Sequence, residues 1–310
     1  MEGRPVTQYL IRRLLLMVPV LIGVTLILFV LLRLRGDPLA AYITPEMTPA
    51  DIELVRQAYG FDRPLPEQYV TMIVNMARGD FGRSMRYRTP AMPLILERLP
   101  ATAELAFAAL IIAILISVPL GLLSALYPNS FIDVTATTLS TLGRAMPNYW
   151  IGIMFILLFA VELHWLPVSG ADNPRAIILP AVTLSLGIAT TLTRLLRSSM
   201  LDVVGQEYMV VARAKGLREW TVIGRHGVRN ALIPILTILG LQMAWLLGGA
   251  VIIEQVFAWP GMGRLMIQAV QSKDMPIVQA GVVVFALIVM FSTLLVDVLY
   301  AVVDPRIRYS

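Results

Sequence analysis

A series of long apolar segments constrains this chain more than any other feature of its sequence. Each segment runs for about 20 residues or more, which as a helix spans a hydrocarbon layer roughly 30 Å thick. Hydrophobic residues make up 57% of the 310 residues, more than an ordinary soluble domain carries. Since every backbone polar group must be satisfied within the membrane, the sequence predicts an all-α polytopic membrane protein. Six transmembrane helices are expected, at 9–34, 101–126, 134–161, 177–196, 232–253 and 281–303, and Arg144 and Pro147 predict a kink in the third.

The first apolar segment follows Arg12 and Arg13, and a start of this kind is also typical of a signal peptide. The segment is too long for one, and residues 29–32 offer no small-residue cleavage site, so a retained membrane anchor is predicted. Positive charges accumulate on the cytoplasmic side of membrane proteins. An even number of spans with basic ends therefore places both termini in the cytoplasm.

Residues 35–99 differ from the rest of the chain because arginines and acidic residues balance there and prolines recur. Two short amphipathic stretches, 50–59 and 66–76, predict helices, and Thr48 followed by Pro49 is a favourable helix start. Long translocated segments are largely exempt from the positive-inside tendency, so these arginines do not conflict with an external location. We expect a small external domain between transmembrane helices 1 and 2.

The connection 207–234 is the most basic one between two apolar segments, which predicts a cytoplasmic location. Good helix formers occupy 206–215, and Gly216 is suited to cap the end of that helix. Ala212 and Ala214 predict a small-residue face that another surface can approach closely.

Leu217 and Trp220 supply apolar side chains beyond the glycine of this connection. Small residues, basic rims and apolar side chains suit a helix that docks into the groove of a partner protein. The same pattern suits a helix that lies on anionic lipid with its basic side chains at the head groups. The pattern alone leaves both interpretations open.

The composition argues against several kinds of chemistry. The chain has no cysteine and two histidines, His164 and His226, so neither a metal site nor a histidine proton relay is predicted. The formal net charge of +5 is modest and gives little support to nucleic-acid binding. The sequence has no phosphate-binding loop, metalloprotease motif or serine-hydrolase motif, so no enzyme activity is predicted.

Ionisable residues at membrane depth are costly, and they usually face a partner or an aqueous cavity. Glu104, Arg144 and Glu254 are therefore candidates for a substrate path, with the two glutamates near its outer mouth. Internal pairing or helix docking is the alternative for each of the three. The aromatic, glycine-rich segment 257–263 either folds back as a lip over that path or packs against the external domain.

The connection 207–234 resembles the cytoplasmic signature of ATP-binding-cassette importer permeases, in particular their dipeptide/oligopeptide/nickel branch. The resemblance rests on Tyr208, Ala212-Arg-Ala-Lys-Gly216, His226 and Arg229-Asn-Ala-Leu-Ile-Pro234. Gly36-Asp-Pro38, followed by the external domain, resembles the first of the two permease subunits in that branch. Further motifs of the branch stand at 79–84, 99–102, 146–147, 165–167, 178–180, 257–261 and 304–306.

This resemblance implies a type I importer permease fold, whose cytoplasmic loop docks in a groove of an ATPase subunit. The implied partners are a second homologous permease, two ATP-binding-cassette ATPases that bind ATP and magnesium, an external solute-binding protein and membrane lipid. It implies no cofactor and no nucleic acid for this chain, and a location in the bacterial inner membrane. The residues implied in coupling are Glu207, Tyr208, Ala212, Arg213, Ala214, Lys215, Gly216, Leu217, His226, Arg229 and Asn230.

The expected organisation is a first helix over 1–34, an external domain over 35–99, a permease core over 100–303 that contains the coupling loop 205–232, and a tail over 304–310. The implied function is import of di- or oligopeptides. Glutathione is suggested because 161–167 and 297–301 look similar to glutathione-type members. A nickel-chelate importer of the same family is one alternative. A stand-alone secondary carrier is another, although the intramembrane relays and inverted repeats of such carriers are scarce here.

Overall fold

The computed structural model describes residues 4–34, 39, 43, 46–58 and 60–303. Within these ranges the chain is mostly helical, and an isolated bridge between Arg83 and Pro90 is the only strand-like pairing there. The motifs expected at 36–38 and 304–306 and the tail 304–310 lie outside the described residues. The helices are α1 Arg4–Leu34, α2 Pro49–Ala58, α3 Leu65–Ala77, α4 Ala91–Leu126, α5 Phe131–Ala145, α6 Asn148–Phe155, α7 Ile178–Val204, α8 Glu207–Ala214, α9 Glu219–Thr221, α10 Arg229–Val256, α11 Met262–Gln271 and α12 Met275–Val303. Two π-helical segments, Ile156–Glu162 and Val222–Val228, continue α6 and α9, and a 3-10 turn at Pro174–Ile177 leads into α7.

Several of these helices are long and apolar enough to cross a membrane, which confirms the all-α polytopic class. Among the described residues, four such spans lie in α1, α4, α7 and α12, and α5 with α6 makes a fifth if that bent pair is counted as one. The remaining expected span, 232–253, coincides with α10, a 28-residue helix. Within α10, Leu246–Val256 is a shorter apolar stretch of described residues. The total of six spans therefore stays a prediction.

The third expected span is broken in the structure, because α5 and α6 meet at an angle of 104°. Met146 is extended, with ψ 135°, and it precedes Pro147. Proline has no N–H to continue a helix and disfavours the helical conformation of the residue before it. The helix therefore stops at Ala145 and starts again at Asn148, so the expected kink over 134–161 is a break between two helices.

Helix α4 begins at Ala91, earlier than the expected start at 101. The Ala91 N–H donates to the Gly82 carbonyl at 3.0 Å, which attaches the helix start to the turn before it. Ile95, on the added turns, is fully buried. The last part of the predicted external domain is therefore the beginning of α4.

One compact unit of the chain contains Ala101–Pro260, and α7 lies at its centre. Helix α7 packs against α5, α6 and α10, and buries Leu184 and Ile188 completely. Helix α4 also approaches α7 closely: a Cβ added to Gly121 would lie 2.9 Å from the Leu196 Cβ. Small residues of this kind let helix backbones pack tightly in membrane proteins.

A second compact unit contains Met1–Pro100 and Gly261–Met290. Its apolar core includes Leu28 of α1, Ile95 of α4 and Ile277 of α12. The Tyr69 hydroxyl of α3 donates to the Ile22 carbonyl of α1 at 2.8 Å. This bond attaches one short amphipathic helix to the first apolar helix.

The amphipathic helices predicted after the first span are confirmed as α2 and α3. Helix α2 starts as expected, with Thr48 as its N-cap. The Thr48 N–H and hydroxyl donate to the Asp51 carboxylate at 2.9 and 2.7 Å, and the Asp51 N–H donates back to the Thr48 Oγ1 at 3.3 Å. This reciprocal capping box lowers the pKa of Asp51 because its charged form accepts both bonds. A domain over 35–99 on the external side stays a prediction.

Candidate coupling site

The basic connection predicted between two spans is folded into a helical hairpin, which we define as residues 207–228. Its first limb is α8, preceded by the extended residue Gln206. Glu207 in the first turn and Arg213 in the last turn complement the helix dipole. Gly216 has φ +76°, and its N–H donates to the Arg213 carbonyl at 2.9 Å. The predicted glycine cap is therefore confirmed, since this backbone region favours glycine.

The second limb begins after Arg218, which is extended, and continues from α9 through the π-helical Val222–Val228 into α10. Arg213 Nη2 donates to Glu219 Oε1 at 2.9 Å and joins the two limbs. This pair lowers the pKa of Glu219 and raises that of Arg213, in both cases chiefly through the hydrogen bond. Because the pair is exposed, it orients the limbs more than it stabilises them.

The inner face of the hairpin is a small apolar core of Met209, Ala212 and Val222. Val203 and Val204, at the end of α7, pack against this core. A Cβ added to Gly227 would lie 3.4 Å from the Met200 and Met209 methyl carbons, which places these two side chains in van der Waals range of the second limb. The small-residue face expected for docking is thus divided, because Ala212 is buried in this core while Ala214 is exposed.

The outer face of the hairpin exposes apolar side chains. Trp220 is 72% exposed, and Tyr208 and Leu217 are each 41% exposed. Val210 and Val211, which sequence reasoning did not select, are exposed as well. Val211 follows Tyr208 by three residues and therefore shares its side of α8. Large apolar side chains on a basic, polar segment indicate a surface that another molecule covers.

Three residues at the base of the hairpin connect it to α10. Asn230 Nδ2 donates to the His226 carbonyl at 2.8 Å and to the Tyr208 hydroxyl at 3.2 Å. His226 is half-buried, whereas Asn230 is exposed. The bonds from Asn230 therefore bind the first limb to the start of α10. The other exposed polar candidates are Glu207, Arg213, Lys215 and Arg229.

The three candidates for a substrate path lie in different settings. Glu104 of α4 is exposed, and so is Arg144 in the last turn of α5, next to the break before α6. Glu254 of α10 has 0% exposure, and its carboxylate accepts a hydrogen bond from the Thr102 hydroxyl at 2.6 Å. Internal pairing, the alternative considered for all three, is what the structure shows for Glu254.

The segment 257–263 after α10 divides between the two units: its aromatic residues are buried in the unit that contains α7, whereas Met262 packs with Phe81 of the 35–99 region in the apolar core of the other unit. Packing against the 35–99 region is therefore confirmed for the end of the segment, and a lip over the solute path stays a prediction. Phe257 and Trp259 both belong to the apolar core of the unit that contains α7. A Cβ on Gly152 of α6 would lie 3.0 Å from the Phe257 ring. The Trp259 indole N–H donates to the Ala101 carbonyl at 2.9 Å. These aromatic residues connect α10 to α4 and α6 inside the unit.

Sequence reasoning missed one buried ion pair near the hairpin. Arg197 of α7 donates through Nε and Nη2 to the two carboxylate oxygens of Asp133, at 2.6 and 2.8 Å. Ser124 at the end of α4 donates its hydroxyl to the same carboxylate, and so does the Asn129 N–H, at 2.9 Å. The available signal was an aspartate early in an apolar helix and an arginine at the border of another.

The fold and the hairpin together define a class of protein: a polytopic helical membrane protein with an exposed apolar surface on the connection between two of its helices. The chain matches the family model described as the binding-protein-dependent transport system inner membrane component over residues 117–309. It also matches the N-terminal model of the membrane component of the same systems over residues 6–106. The chain belongs to this family, and it is a multi-pass inner-membrane permease subunit.

Two curated relatives resemble the chain over nearly their whole length. The oligopeptide transport system permease protein AppB of Bacillus subtilis is 42% identical over 313 residues, covering 97% of this chain and 99% of that protein. The glutathione transport system permease protein GsiC of Escherichia coli strain K12 is 40% identical over 304 residues, covering 98% and 99%.

Solved structures support the fold. The MetNI methionine ABC transporter in an inward-facing conformation matches with a TM-score of 0.55 at 18% identity, covering 69% of this chain and 97% of that one. An amino acid ABC transporter matches with a TM-score of 0.52 at 19% identity, covering 69% and 94%. The helical core is therefore that of an ABC importer permease.

Proposed function

We propose that this chain is the first of two permease subunits in an ATP-driven importer whose cargo is a peptide or a peptide-like solute such as glutathione. Support for the cargo comes from the relatives AppB and GsiC, which match from end to end. These relatives do not favour a nickel chelate. Membership of a binding-protein-dependent family also removes the support for a stand-alone carrier.

The outer face of the 207–228 hairpin carries the mechanistic part of the proposal. Trp220, Leu217 and Tyr208 expose apolar surface that suits a groove in a cytoplasmic ATPase subunit. Basic side chains such as Lys215 and Arg218 rim this surface. The ATPase partners bind ATP and magnesium and hydrolyse the nucleotide, and their closure pushes on the hairpin.

The inner face of the hairpin supports transmission of that push. Met209 and Val222 pack against Val203 and Val204 at the end of α7, so a displaced hairpin moves α7 with it. Helix α7 is the centre of its unit, packed against α5, α6 and α10. Motion that begins at the ATPase therefore reaches the helices that would line the solute path.

The remaining partners and the topology belong to the same proposal. A second permease completes the pathway, and an external solute-binding protein delivers the cargo to the side opposite the hairpin. The termini and the hairpin lie in the cytoplasm, in accord with their basic residues. Of the three charged candidates, Glu104 and Arg144 are exposed and remain candidates for the solute path.

Native mass spectrometry of the tagged chain, gently extracted from its own membrane, tests this proposal. We expect one different permease and two ATPase chains to travel with it, and a peptide-class ligand on any co-captured binding protein. A chain that arrives alone or as a homo-oligomer after mild extraction would contradict the importer. A nickel chelate on the binding protein would contradict the proposed peptide-class substrate but would agree with an ATP-driven importer.

A further inference from the structure

The ion pair between Asp133 of α5 and Arg197 of α7 lies near the hairpin. Arg197 precedes Met200 by three residues, so the two side chains are less than one helical turn apart. Met200 is fully buried, and its methyl carbon lies 3.4 Å from the position of a Cβ on Gly227 in the hairpin. The same stretch of α7 therefore contacts the hairpin and carries the ion pair.

Three helices meet at this carboxylate. Asp133 belongs to α5, Arg197 to α7 and Ser124 to α4. The Asn129 N–H from the turn between α4 and α5 also donates to the carboxylate, and so does the Thr137 hydroxyl of α5, at 3.4 Å. The Asp133 side chain is 5% exposed and the Arg197 side chain is 30% exposed. A buried carboxylate with these five donors is fully satisfied.

Close packing accompanies the ion pair at the same level of the unit. A Cβ on Gly121 of α4 would lie 2.9 Å from both the Leu196 Cβ and the Thr193 carbonyl oxygen of α7. The planar fork of an arginine sets the distance and the orientation of the carboxylate it holds. A buried pair of this kind is weak evidence for stability, since apolar replacements often do as well, and better evidence for fixed geometry.

We propose that Asp133 and Arg197 are positioning residues for coupling, which make α4, α5 and α7 follow the hairpin as one block. The inference rests on the proposed function, in which an ATPase displaces the hairpin. Without the pair, α7 slides against α4 and α5, and the displacement is absorbed before it reaches the solute path. ATP is then hydrolysed without a matching amount of transport.

The coupling role of Asp133 and Arg197 can be tested by the ratio of ATP hydrolysed to solute imported. The ratio is measured in the full complex, reconstituted in vesicles with the sister permease and both ATPases. For Asp133→Asn and Arg197→Gln we expect hydrolysis to persist while uptake falls, so that the ratio rises about tenfold. Arg197→Lys keeps the charge but loses the fork, and it should give an intermediate ratio. A ratio unchanged in all three variants would overturn the proposal.

A matched control is Asp274→Asn, in the other compact unit. Asp274 is also a buried carboxylate, and it accepts hydrogen bonds from the Ser84 hydroxyl and, at 3.2 Å, from the Arg86 N–H. Both donors lie in the same compact unit as Asp274. In the Asp274→Asn complex we expect ATP hydrolysis and solute uptake to change in proportion, so that the ratio between them stays near that of the unmodified complex.

A distance measurement decides the question even if the Asp133 variants fail to assemble. The chain has no cysteine, so Phe131→Cys and Leu201→Cys introduce two unique sites for spin labels on α5 and α7. With the ion pair intact, we expect the distance between the labels to stay the same in nucleotide-free and ATP-bound complexes. A change of several ångströms on ATP binding would show that the helices do not move as one block. If no ATPase chain associates with the permease at all, the proposed function is wrong. If the complex hydrolyses ATP and this distance changes, the proposed function stands and only the proposal that α4, α5 and α7 move together is wrong.

Discussion

The 207–228 hairpin and helix α7, which leads directly into it, use apolar residues in opposite ways. On α7, Leu184 and Ile188 are completely buried by neighbouring helices of the same chain. On the hairpin, Trp220 and Val211 point outward, and only a small inner core is covered. One element finds its packing partners within the chain, whereas the other presents an apolar face that the chain leaves uncovered. The comparison separates the helix that transmits motion from the surface that receives it.

The largest expected effect comes from a charge at the hairpin turn, Gly216→Asp. A Cβ there meets nothing within 4 Å in this chain, so the substitution costs the subunit only about 1 kcal/mol of left-handed backbone strain. A charge that enters a close helix contact without a partner disrupts that contact. We expect membrane assembly to persist while peptide uptake into vesicles and substrate-stimulated ATP hydrolysis are lost.

Gly216→Asn is the matched control for this charge, because asparagine accepts the same backbone conformation without ionising. It should retain most of the uptake. Normal uptake by Gly216→Asp would remove the hairpin from the mechanism.

Trp220→Ala tests the outer face alone. With 72% of its surface exposed, the side chain contributes little to the stability of the isolated subunit. In a groove it would be an anchor, and truncation of such an aromatic residue costs about 2 kcal/mol or more of binding free energy. We therefore expect the affinity for the ATPase, measured by titration in detergent, to fall by roughly 30-fold.

Phe107→Ala is the comparison for Trp220, since Phe107 is 58% exposed but lies on α4, 17 residues before Ser124 and therefore about 25 Å along the helix from the ion pair beside the hairpin. Its substitution should leave ATPase affinity unchanged. An equal loss of ATPase affinity in both variants would mean that any exposed apolar side chain, and not the hairpin face in particular, determines binding to the ATPase.

Gly121→Ala tests the α7 side of the comparison. The new Cβ would lie 2.9 Å from Leu196 Cβ and from the Thr193 carbonyl oxygen, so α4 must move away from α7. Such overpacking costs about 1–3 kcal/mol, which thermal unfolding of the purified subunit in detergent can detect. Gly23→Ala, in α1, has nothing within 4 Å of the new Cβ and should leave the unfolding temperature unchanged or higher. A Gly121→Ala protein as stable as the parent would mean that α4 does not pack closely on α7.

The smallest effect concerns the exposed Arg213–Glu219 pair. Because the pKa of Glu219 is lowered from its ordinary value of 4.5, the pair contributes fully above that value and is lost as pH falls through the lowered pKa. A spin label on Ala214→Cys should therefore become more mobile only in acid. In a Glu219→Gln background the label should be mobile at every pH. A label whose mobility in the parent does not change with pH would contradict the pairing of the limbs.

Local signals in the sequence were sufficient to predict much of the fold. Long apolar runs predicted the helices, and the starts and ends at Thr48 and Gly216 follow from side-chain capping and from glycine's backbone freedom. The family signature in 207–234 pointed to the surface that the structure exposes. All of these signals lie within one or two helical turns of the residues they describe.

The features that could not be predicted depend on contacts between residues far apart in sequence. Asp133 and Arg197 are separated by 64 positions, and nothing local indicates that they pair. Burial of Ala212 depends on how the second limb returns, and burial of Glu254 depends on Thr102 of another helix. The break at Pro147 was underestimated because membrane helices often tolerate proline as a kink.

Site-specific cross-linking tests the central claim most directly, namely that the outer face of the hairpin binds an ATPase subunit. Leu217→Cys places a single thiol on that face in a chain that otherwise has no cysteine, and a photoactivatable reagent attached there can react with whatever covers it. We predict an adduct between this chain and an ATPase chain in the assembled complex, and no such adduct from Phe107→Cys on α4. A complex that hydrolyses ATP and yields no ATPase adduct from Leu217→Cys, or an equal one from Phe107→Cys, would contradict the account.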